Sequence, residues 1–537
     1  MRIFGDKLVQ RPLLLTGFMA TGKSTVGRLL AKKVGRPFVD LDERITARLG
    51  MSIKDYFARE GEAAFRTVEQ RELLALFDEN NAAPPVVALG AGALLVRETR
   101  VWVLERAVVV TLEAKPAEVA RRAGSHSGRP LLEGANGEQR ATALMAEREL
   151  VYAESHARVP TDGRRPDAIA DDVRVHWQRN AIAVAAGANS YAVEVGRGLV
   201  RERLGDLARG ASQALLITDE HVAPLHAPVA RAALGALLAP GAEVVLTPGE
   251  IHKHIGSVER IWRAALHAGI DRKSVFVGLG GGVATDITGF AAASFLRGIQ
   301  WIGVPTTLLA MVDASVGGKT GVDLEQAKNA VGAFHQPSGV LCDTELEATE
   351  PERGYVSALA EVVKTAVIGD PNLLDLLERE AARVRARDQE LVGELVRRSI
   401  TVKARIVSLD ERESGLRAVL NLGHTVGHAL ESHAGLERLT HGEAVSLGTV
   451  AALRIGQALG HTPPALTERV TRLLGELGLP IDLSREPLRE AAELLGHDKK
   501  RAGKRLKFVV AYEPGRVDTV DLELGELRTL THQLAVA

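Results

Sequence analysis

A single cysteine, Cys342, occurs in 537 residues. That excludes an internal disulfide framework and fits a reducing cytoplasm. An excess of one charge is missing too: 67 Lys+Arg against 68 Asp+Glu leave a formal net of -1. Such a balance gives no electrostatic footprint for nucleic acid or an anionic membrane. No apolar run approaches the roughly 20 residues that a bilayer span needs. The apolar residues 13–15 lack a signal-peptide cleavage region after them. Short repeats, heptads and low-complexity tracts are also absent. What remains is an ordinary apolar fraction, 46%. The length suggests about three or four globular domains.

One run then stands out. Gly17-Phe18-Met19-Ala20-Thr21-Gly22-Lys23-Ser24 fits G-x4-G-K-[ST], a phosphate-binding loop. Apolar residues 12–15 precede it like a short buried strand. Residues 25–34 follow with Val26, Leu29, Leu30 and Val34 at helical spacing. In that strand–loop–helix context, Gly17 and Gly22 let backbone N–H groups and the helix start, with Thr25, face nucleotide phosphates. Lys23 reaches the β/γ-phosphates and Ser24 ligates Mg²⁺. Asp40 and Asp42, spaced i, i+2, share one face of an expected strand over 38–42. Asp40 then sits beside Mg²⁺ and Asp42 accepts from a substrate hydroxyl; the alternative is a strand end with a helix N-cap.

Arg66 follows a helix break at Gly61, and a guanidinium suits bidentate capture of a carboxylate. A lone arginine is more often a solvated face. Residues 86–89 form a buried strand running into Gly90-Ala91-Gly92, a turn that allows close backbone approach to a ligand. Arg129, after the flexible stretch 124–128, reads as a cation on a mobile lid. Arg148 lies on a helix, with Tyr152, Glu154 and Ala157 after it.

In order, GFMATGKST, FVDLDERI, E-x-x-F-R, the glycine turn, R-P-L-L and R-x3-Y-x-E-x-x-A resemble shikimate kinase across about residues 10–178. The resemblance implies a P-loop α/β domain over 1–178, with a parallel sheet and with ATP and Mg²⁺ as cofactors. It implies phosphorylation of the shikimate 3-hydroxyl. Asp42, Arg66 and Arg148 would hold shikimate, Gly90 and Gly92 would line its pocket, and Arg129 would be the lid arginine. Ala91 departs from the family's usual three glycines. A positive φ there would cost about 1 kcal/mol or more.

Near residue 180 the pattern changes, so 179–190 is expected as a linker. A new strand opens at 191–196. Residues 214–219 read as a buried strand ending in Asp219. Glu250 and Lys253 lie on a loop after another strand. Residues 274–280 run into Gly280-Gly281-Gly282, followed by Asp286. Alternating strands and Ala-rich helices predict a parallel doubly wound, Rossmann-like sheet. The glycines suit a dinucleotide pyrophosphate, although the strict G-x-G-x-x-G is missing. After about residue 350 the pattern is almost wholly helical. His424 and His428 fall at i, i+4 on one helix face, His441 follows, and Glu361 and Lys364 fall at i, i+3. Histidines with a carboxylate suit Zn²⁺ with an open position. Spacing alone favours His424 and His428 as the ligand pair, with capping or core histidines as the alternative.

GGGVATDITGFAAA, PTTLLAMVDASVGGKTGV, AKNAVGAFHQP, LAEVVKTAVI, LNLGHTVGHALE and HGEAV together resemble 3-dehydroquinate synthase over roughly residues 190–535. The resemblance implies an NAD-binding α/β domain over 191–345 and an all-helical metal-binding domain over 346–537. Its metal, Zn²⁺ or Co²⁺, would be held by Glu361, His424 and His441, which overrules the spacing. His428 would contact substrate and shuttle a proton. Lys319, Lys364 and Arg417 would be catalytic. Asp313, Asn329, Lys403 and Asn421 would surround the substrate, with Arg297 and one of Lys499 and Lys500 contributing. Asp219, Glu250, Lys253, Gly282, Asp286, Thr306, Thr307, Lys319 and Lys328 would contact NAD.

The reaction implied converts 3-deoxy-D-arabino-heptulosonate 7-phosphate to 3-dehydroquinate and phosphate. It runs through oxidation, elimination, reduction, ring opening and aldol closure, with NAD⁺ recycled. Asp323 and His335 depart mildly from relatives. A homodimer through this half is implied as well. The whole reads as a bifunctional, cytoplasmic shikimate-pathway enzyme whose two steps are not consecutive. The alternatives are a related sugar-phosphate cyclase, a metal-dependent polyol dehydrogenase, or a cyclase carrying a non-catalytic nucleotide-binding regulatory domain.

Overall fold

Leu13, Leu14 and Leu15 show no polar alternation, and all three are buried. Burial on both faces is the reason, since they form the middle strand of a parallel sheet covered on each side. The computed structural model describes residues 11–79, 83–124, 137–325, 327–434, 438–495 and 505–534. The chain divides into two units, Met1–Val193 and Glu194–Ala537.

The first unit runs β1 (Leu13–Thr16), α1 (Lys23–Val34), β2 (Phe38–Asp40), α2 (Leu41–Leu49), α3 (Ile53–Asp78), β3 (Val86–Ala88) and α4 (Arg97–Arg106). It continues β4 (Val108–Glu113), α5 (Pro116–Gly124), α6 (Gly137–Ala153), β5 (Ala157–Pro160) and α7 (Pro166–Arg179). The strand order is β2–β3–β1–β4–β5, with all neighbours parallel. Side-chain alternation splits the core. Leu13 and Leu15 join Val26, Leu30 and Trp177 on one face, whereas Leu14 joins Leu41, Ile45 and Phe65 on the other. α3 breaks at Gly61, which has φ 83°.

One expectation needs correction. β2 stops at Asp40, and Asp42 lies in the first turn of α2. The two carboxylates therefore do not share a strand face. Asp40 caps the helix, accepting from Asp42 N–H at 3.1 Å, and that cap ends the strand early.

His156 is buried just before β5. Its Nδ1 accepts from Val109 N–H at 3.0 Å and its Nε2 has no partner. Burial, with Arg11 nearby, holds its pKa well below the ordinary value. The neutral ring is the folded form, so its contribution is complete above the unfolded-state pKa of about 6.5 and is lost as pH falls below it. The first unit should lose about 1.4 kcal/mol of stability per pH unit below that point from this group. Melting curves between pH 7.5 and 5.5, with histidine proton shifts showing His156 neutral throughout, check it.

β6 (Ile182–Val184) lies in the segment expected as a linker and pairs antiparallel with Tyr191–Val193, the first residues of β7 (Tyr191–Gly196). Then come α8 (Leu199–Leu207), β8 (Ala214–Asp219), α9 (Ala223–Leu234), β9 (Leu238–Leu246), α10 (Ile255–His267), β10 (Val275–Gly280), α11 (Gly282–Ser294) and β11 (Gln300–Pro305). A hairpin, β12 (Lys319–Leu324) with β13 (Ala327–Phe334), precedes β14 (Gly339–Asp343). From β7 on, the strand order is β7–β14–β11–β10–β8–β9. The pairs among β14, β11, β10, β8 and β9 are parallel. Phe276 and Trp301 face one helical layer, while Val275, Val277 and Val304 face the other.

The helical region comprises α12 (Thr344–Glu347), α13 (Glu352–Gly369), α14 (Pro371–Arg385), α15 (Gln389–Leu409), α16 (His424–Ala434), α17 (His441–Ala458), α18 (Pro464–Glu476) and α19 (Leu488–Leu494). An antiparallel hairpin follows, β15 (Arg505–Glu513) with β16 (Arg516–Glu523), before α20 (Leu524–Leu534). This hairpin departs from the all-helical expectation. Its signal was present: two β-prone runs flank Pro514-Gly515, and Gly515 takes φ 84°. Among the described residues no helix is long and apolar enough to cross a membrane.

Candidate active sites

In the first unit, the loop between β1 and α1 depends on its glycines. Gly17 has φ 128°, and a Cβ there would stand 2.3 Å from Leu112 O. Gly22 (φ 97°) is the N-cap of α1 and brings no side chain to cap it, which leaves the helix start to an anion. Lys23 Nζ donates to Gly17 O and Phe18 O, each at 2.9 Å. Ser24 Oγ donates to Asp40 Oδ2 at 2.6 Å. Asp40 thus caps the helix with one carboxylate oxygen and accepts from Ser24 with the other. This loop fits a nucleoside triphosphate with its cation. Thr25 is exposed in the first turn of α1, on the same cleft.

Asp42, Arg66, Gly90, Gly92 and Arg148 line that cleft too. Arg66 donates to Glu69 at 2.6 Å and to Glu62 at 2.9 Å. Arg148 Nε is buried and has no hydrogen-bond acceptor. A Cβ on Gly92 would lie 2.3 Å from Arg66 Nη1, and one on Gly90 would lie 2.5 Å from Glu69 Oε1. Ala91 between them does not take a positive φ, so the backbone strain that alanine would have suffered is not present. Its carbonyl accepts from Tyr152 Oη at 2.8 Å. Sequence reasoning missed Glu69, which is buried beside Arg66; burial raises its pKa against the pull of the guanidinium. Its position three residues after Arg66 on a helix was the available signal. Arg129 lies outside the described residues.

In the second unit, α13, α16 and α17 bring four side chains together. Glu361 Oε1 stands 3.5 Å from His424 Nε2 and 3.7 Å from His441 Nε2. Glu361 Oε2 pairs with Lys364 Nζ at 2.5 Å. Glu361 is 1% exposed, and its Oε1 has no hydrogen-bond donor. His428 joins His424 and His441 in one cluster of ligand-type atoms, all within 4.8 Å of one another. Geometry thus keeps the spacing-favoured His424–His428 pair close, but the contacts shown with Glu361 are from His424 and His441.

Burial opposes charge here, but Lys364, His441 and His424 hold the Glu361 carboxyl well below its usual range. Burial also opposes the His441 cation, yet Glu361 and Glu431 raise its pKa to about 10. The point they share favours positive charge. An orphaned carboxylate oxygen facing two imidazoles fits a divalent cation of the zinc type.

Glu431, which sequence reasoning missed, lies 3.6 Å from His441 Nδ1 and 2.9 Å from Lys328 Nζ. It stands three residues after His428 on the same helix, a spacing that could have flagged it. Lys403 donates to Asp313 Oδ1 at 2.5 Å, and Asp313 in turn feels Glu361 and Lys364. Burial lowers the Lys403 pKa, with Arg417 and Lys364 adding to it. Lys319 pairs with Glu413, also missed, which accepts from Asn421 at 3.1 Å and feels Arg417. Arg417 is buried and donates to Glu411 O at 2.5 Å.

Lys253 links the dinucleotide side to β13, donating to Asp286 Oδ2 and Asn329 Oδ1, each at 2.6 Å. Glu250 stands 3.9 Å from Lys253. Burial raises the Asp286 pKa to about 6 against Lys253. The glycine turn leads straight into α11 at Gly282, and a Cβ on Gly280 would stand 3.2 Å from Asp219 Oδ2. Thr306 Oγ1 is buried and has no partner, and Thr307 Oγ1 accepts from Ala310 N–H at 3.2 Å. This cradle fits a dinucleotide. Arg297 is exposed, with φ 69°, and shows no hydrogen bond or ion pair with the other site residues among the described residues. Residues 498–500 lie outside the described residues.

Comparisons with known proteins follow this division. The model for shikimate kinase matches residues 19–177. Models for the 3-dehydroquinate synthase N-terminal and C-terminal domains match 243–357 and 358–501. The 3-dehydroquinate synthase of Geobacter sp. (strain M21) is 43% identical over 331 residues, which is 61% of this chain and 91% of that protein. The synthase of Pelobacter propionicus is 42% identical over 355 residues, 66% of this chain and 99% of that protein. A solved 2-epi-5-epi-valiolone synthase from Streptomyces hygroscopicus, with NAD⁺ and Zn²⁺ bound, is 28% identical with a TM-score of 0.59, covering 64% of this chain and 97% of its own.

Proposed function

The chain belongs to the 3-dehydroquinate synthase family and carries a shikimate kinase domain ahead of that region, and on that premise we propose the roles of its side chains. It is a bifunctional shikimate-pathway enzyme. One half phosphorylates shikimate from ATP, and the other cyclises 3-deoxy-D-arabino-heptulosonate 7-phosphate to 3-dehydroquinate with loss of phosphate. The proposed domain bounds are 1–178, a connector over 179–190, 191–345 and 346–537.

The observation that carries the cyclase assignment is the buried, donor-free Glu361 Oε1 facing His424 and His441. These three would hold Zn²⁺ or Co²⁺. When bound, that cation supplies Lewis acidity, NAD⁺ supplies reversible oxidation, and ATP with Mg²⁺ supplies the phosphoryl group in the other half. Around the cation site, Lys364 neutralises charge beside Glu361, and His428 holds and releases the substrate hydroxyl proton. Lys319, Lys403 and Arg417 bind the phosphate and carboxylate groups, with Asp313, Asn329 and Asn421 orienting the ring. Asp219, Glu250, Lys253, Gly282, Asp286, Thr306, Thr307 and Lys328 are assigned to NAD⁺. Arg297 is kept as a substrate contact on the resemblance alone.

In the kinase half, Gly17, Gly22, Lys23 and Thr25 hold the phosphates, and Ser24 and Asp40 hold Mg²⁺. Asp42 takes the substrate hydroxyls, and Arg66 and Arg148 take the carboxylate. Arg129 serves the transferring group. A homodimer through the synthase half and a cytoplasmic location complete the reading. They rest on the resemblance and on the single cysteine.

The test is two assays on the purified full-length chain. With shikimate and ATP–Mg²⁺ it should form shikimate 3-phosphate. With the heptulosonate phosphate, NAD⁺ and a divalent metal, it should release phosphate matched to 3-dehydroquinate with no net NADH. NADH accumulation without phosphate release would replace the cyclase with a dehydrogenase. Gly92→Ala supplies a sharper check. Its Cβ displaces the Arg66 guanidinium, which lies 2.3 Å from that position. The KM for shikimate should rise about tenfold, as for loss of a charge-assisted hydrogen bond. The melting temperature should hold, because the displaced atoms are the end of a long side chain.

A further inference from the structure

Tyr152 belongs to no ligand set assigned above, yet it touches three parts of the kinase cleft. It follows Arg148 by one helical turn on α6, so the two side chains share a face. Its ring packs with Phe18, Ala114, Val119 and Ala141. Met19 and Ala20 of the phosphate loop pack against the same cluster. Its hydroxyl donates to Ala91 O at 2.8 Å, in the middle of the glycine turn. The lone pairs of that oxygen remain for the Arg148 guanidinium, which lies in hydrogen-bonding reach of it.

The tyrosine is itself held fast. Its own carbonyl accepts from Thr111 Oγ1 at 2.8 Å. Two residues on, Glu154 is buried between Arg100 at 2.6 Å and Arg97 at 3.0 Å, and it accepts from Gly187 N–H at 3.0 Å. The end of α6 is therefore anchored, and Tyr152 has little freedom to follow a moving partner.

We propose that Tyr152 is the positioning residue of the substrate carboxylate pocket: its hydroxyl fixes the Ala91 peptide and the Arg148 guanidinium relative to each other. The peptide is planar and trans, so holding the Ala91 carbonyl also fixes the direction of the Gly92 N–H. Gly92 is the residue against which Arg66 packs. One phenol thus sets the spacing between the two arginines assigned to the carboxylate. Burial raises the phenol's pKa, so it remains a donor across the neutral range. The carbonyl of residue 91 is what Tyr152 uses, which explains why alanine serves there as well as glycine would. The proposal rests on the shikimate kinase reading of this cleft.

Tyr152→Phe in the full-length chain keeps the ring and removes only the hydroxyl. The KM for shikimate should rise about tenfold, the scale of a lost hydrogen bond to a charged group. The kcat, the KM for ATP and the cyclisation rate should stay within about twofold. Introduced into an Arg148→Lys background, the same change should cost much less, because the two side chains act as a unit. An unchanged KM for shikimate, an equal rise in both KM values, or full additivity with Arg148→Lys would overturn the proposal. Failure of the unmutated chain to phosphorylate shikimate would instead sink the underlying reading.

Discussion

Glu361→Gln is expected to lower cyclisation by on the order of 10³ or more while leaving ATP-dependent phosphorylation within about twofold. Glu361 is the one carboxylate among the three residues assigned to the cation. Its amide analogue keeps the shape and removes the charge. Lys364, 2.5 Å from Oε2, is buried as well, and without the Glu361 charge its ammonium loses its ion-pair partner beside the imidazoles. Both effects push a divalent cation out, and a cation's contribution of several kcal/mol to a polarised oxygen is worth about 10³ or more in rate. Metal content of the purified variant, measured by elemental analysis against the unmutated chain, should fall in parallel. Full cyclisation with full metal content would remove Glu361 from the ligand set. A matching fall in phosphorylation would show that the two active sites are not independent.

How much of this was legible in the chain depended on whether a feature was local. The strand–loop–helix of residues 12–34 was readable because its glycines, apolar run and helical spacing all lie within one stretch. The doubly wound sheet was readable for the same reason, as its buried strands lack polar alternation. The strand end at Asp40 was misread, because the side chain's bond to the Asp42 amide competes with continued extension. The β15–β16 hairpin was overlooked among helices, although Pro514-Gly515 marked its turn. Among site residues, spacing pointed to His424 and His428. The carboxylates that His441 meets are Glu361 and Glu431, and Glu361 is 80 positions away in sequence. Glu413, which pairs with Lys319 across 94 positions, could not be found by any local pattern. Strain at Ala91 depends on a φ that only the folded turn supplies, and there it is not positive.

Lys23→Ala should remove phosphorylation of shikimate, by on the order of 10² to 10³ or more, and leave cyclisation intact. An ammonium aimed at the β/γ-phosphates stabilises charge that builds on the transferring group. That ammonium also donates to the Gly17 and Phe18 carbonyls at 2.9 Å each. It therefore also ties the loop together, and alanine leaves two carbonyl acceptors short of a donor. Part of the loss could then be loop disorder rather than lost charge. Lys23→Arg separates the two: a guanidinium can still tie the carbonyls, but its fork differs from a point charge. Nucleotide binding close to that of the unmutated chain with phosphorylation still lost would place the lysine in the transfer step itself. Phosphorylation unaffected by either change would mean that the loop is not where ATP reacts. If the unmutated chain cyclises but never phosphorylates, the first unit is a nucleotide-binding regulator. That reading had Ala91 as its only support in the sequence. Its unstrained backbone and the Tyr152 hydrogen bond remove the physical reason for such a loss of activity.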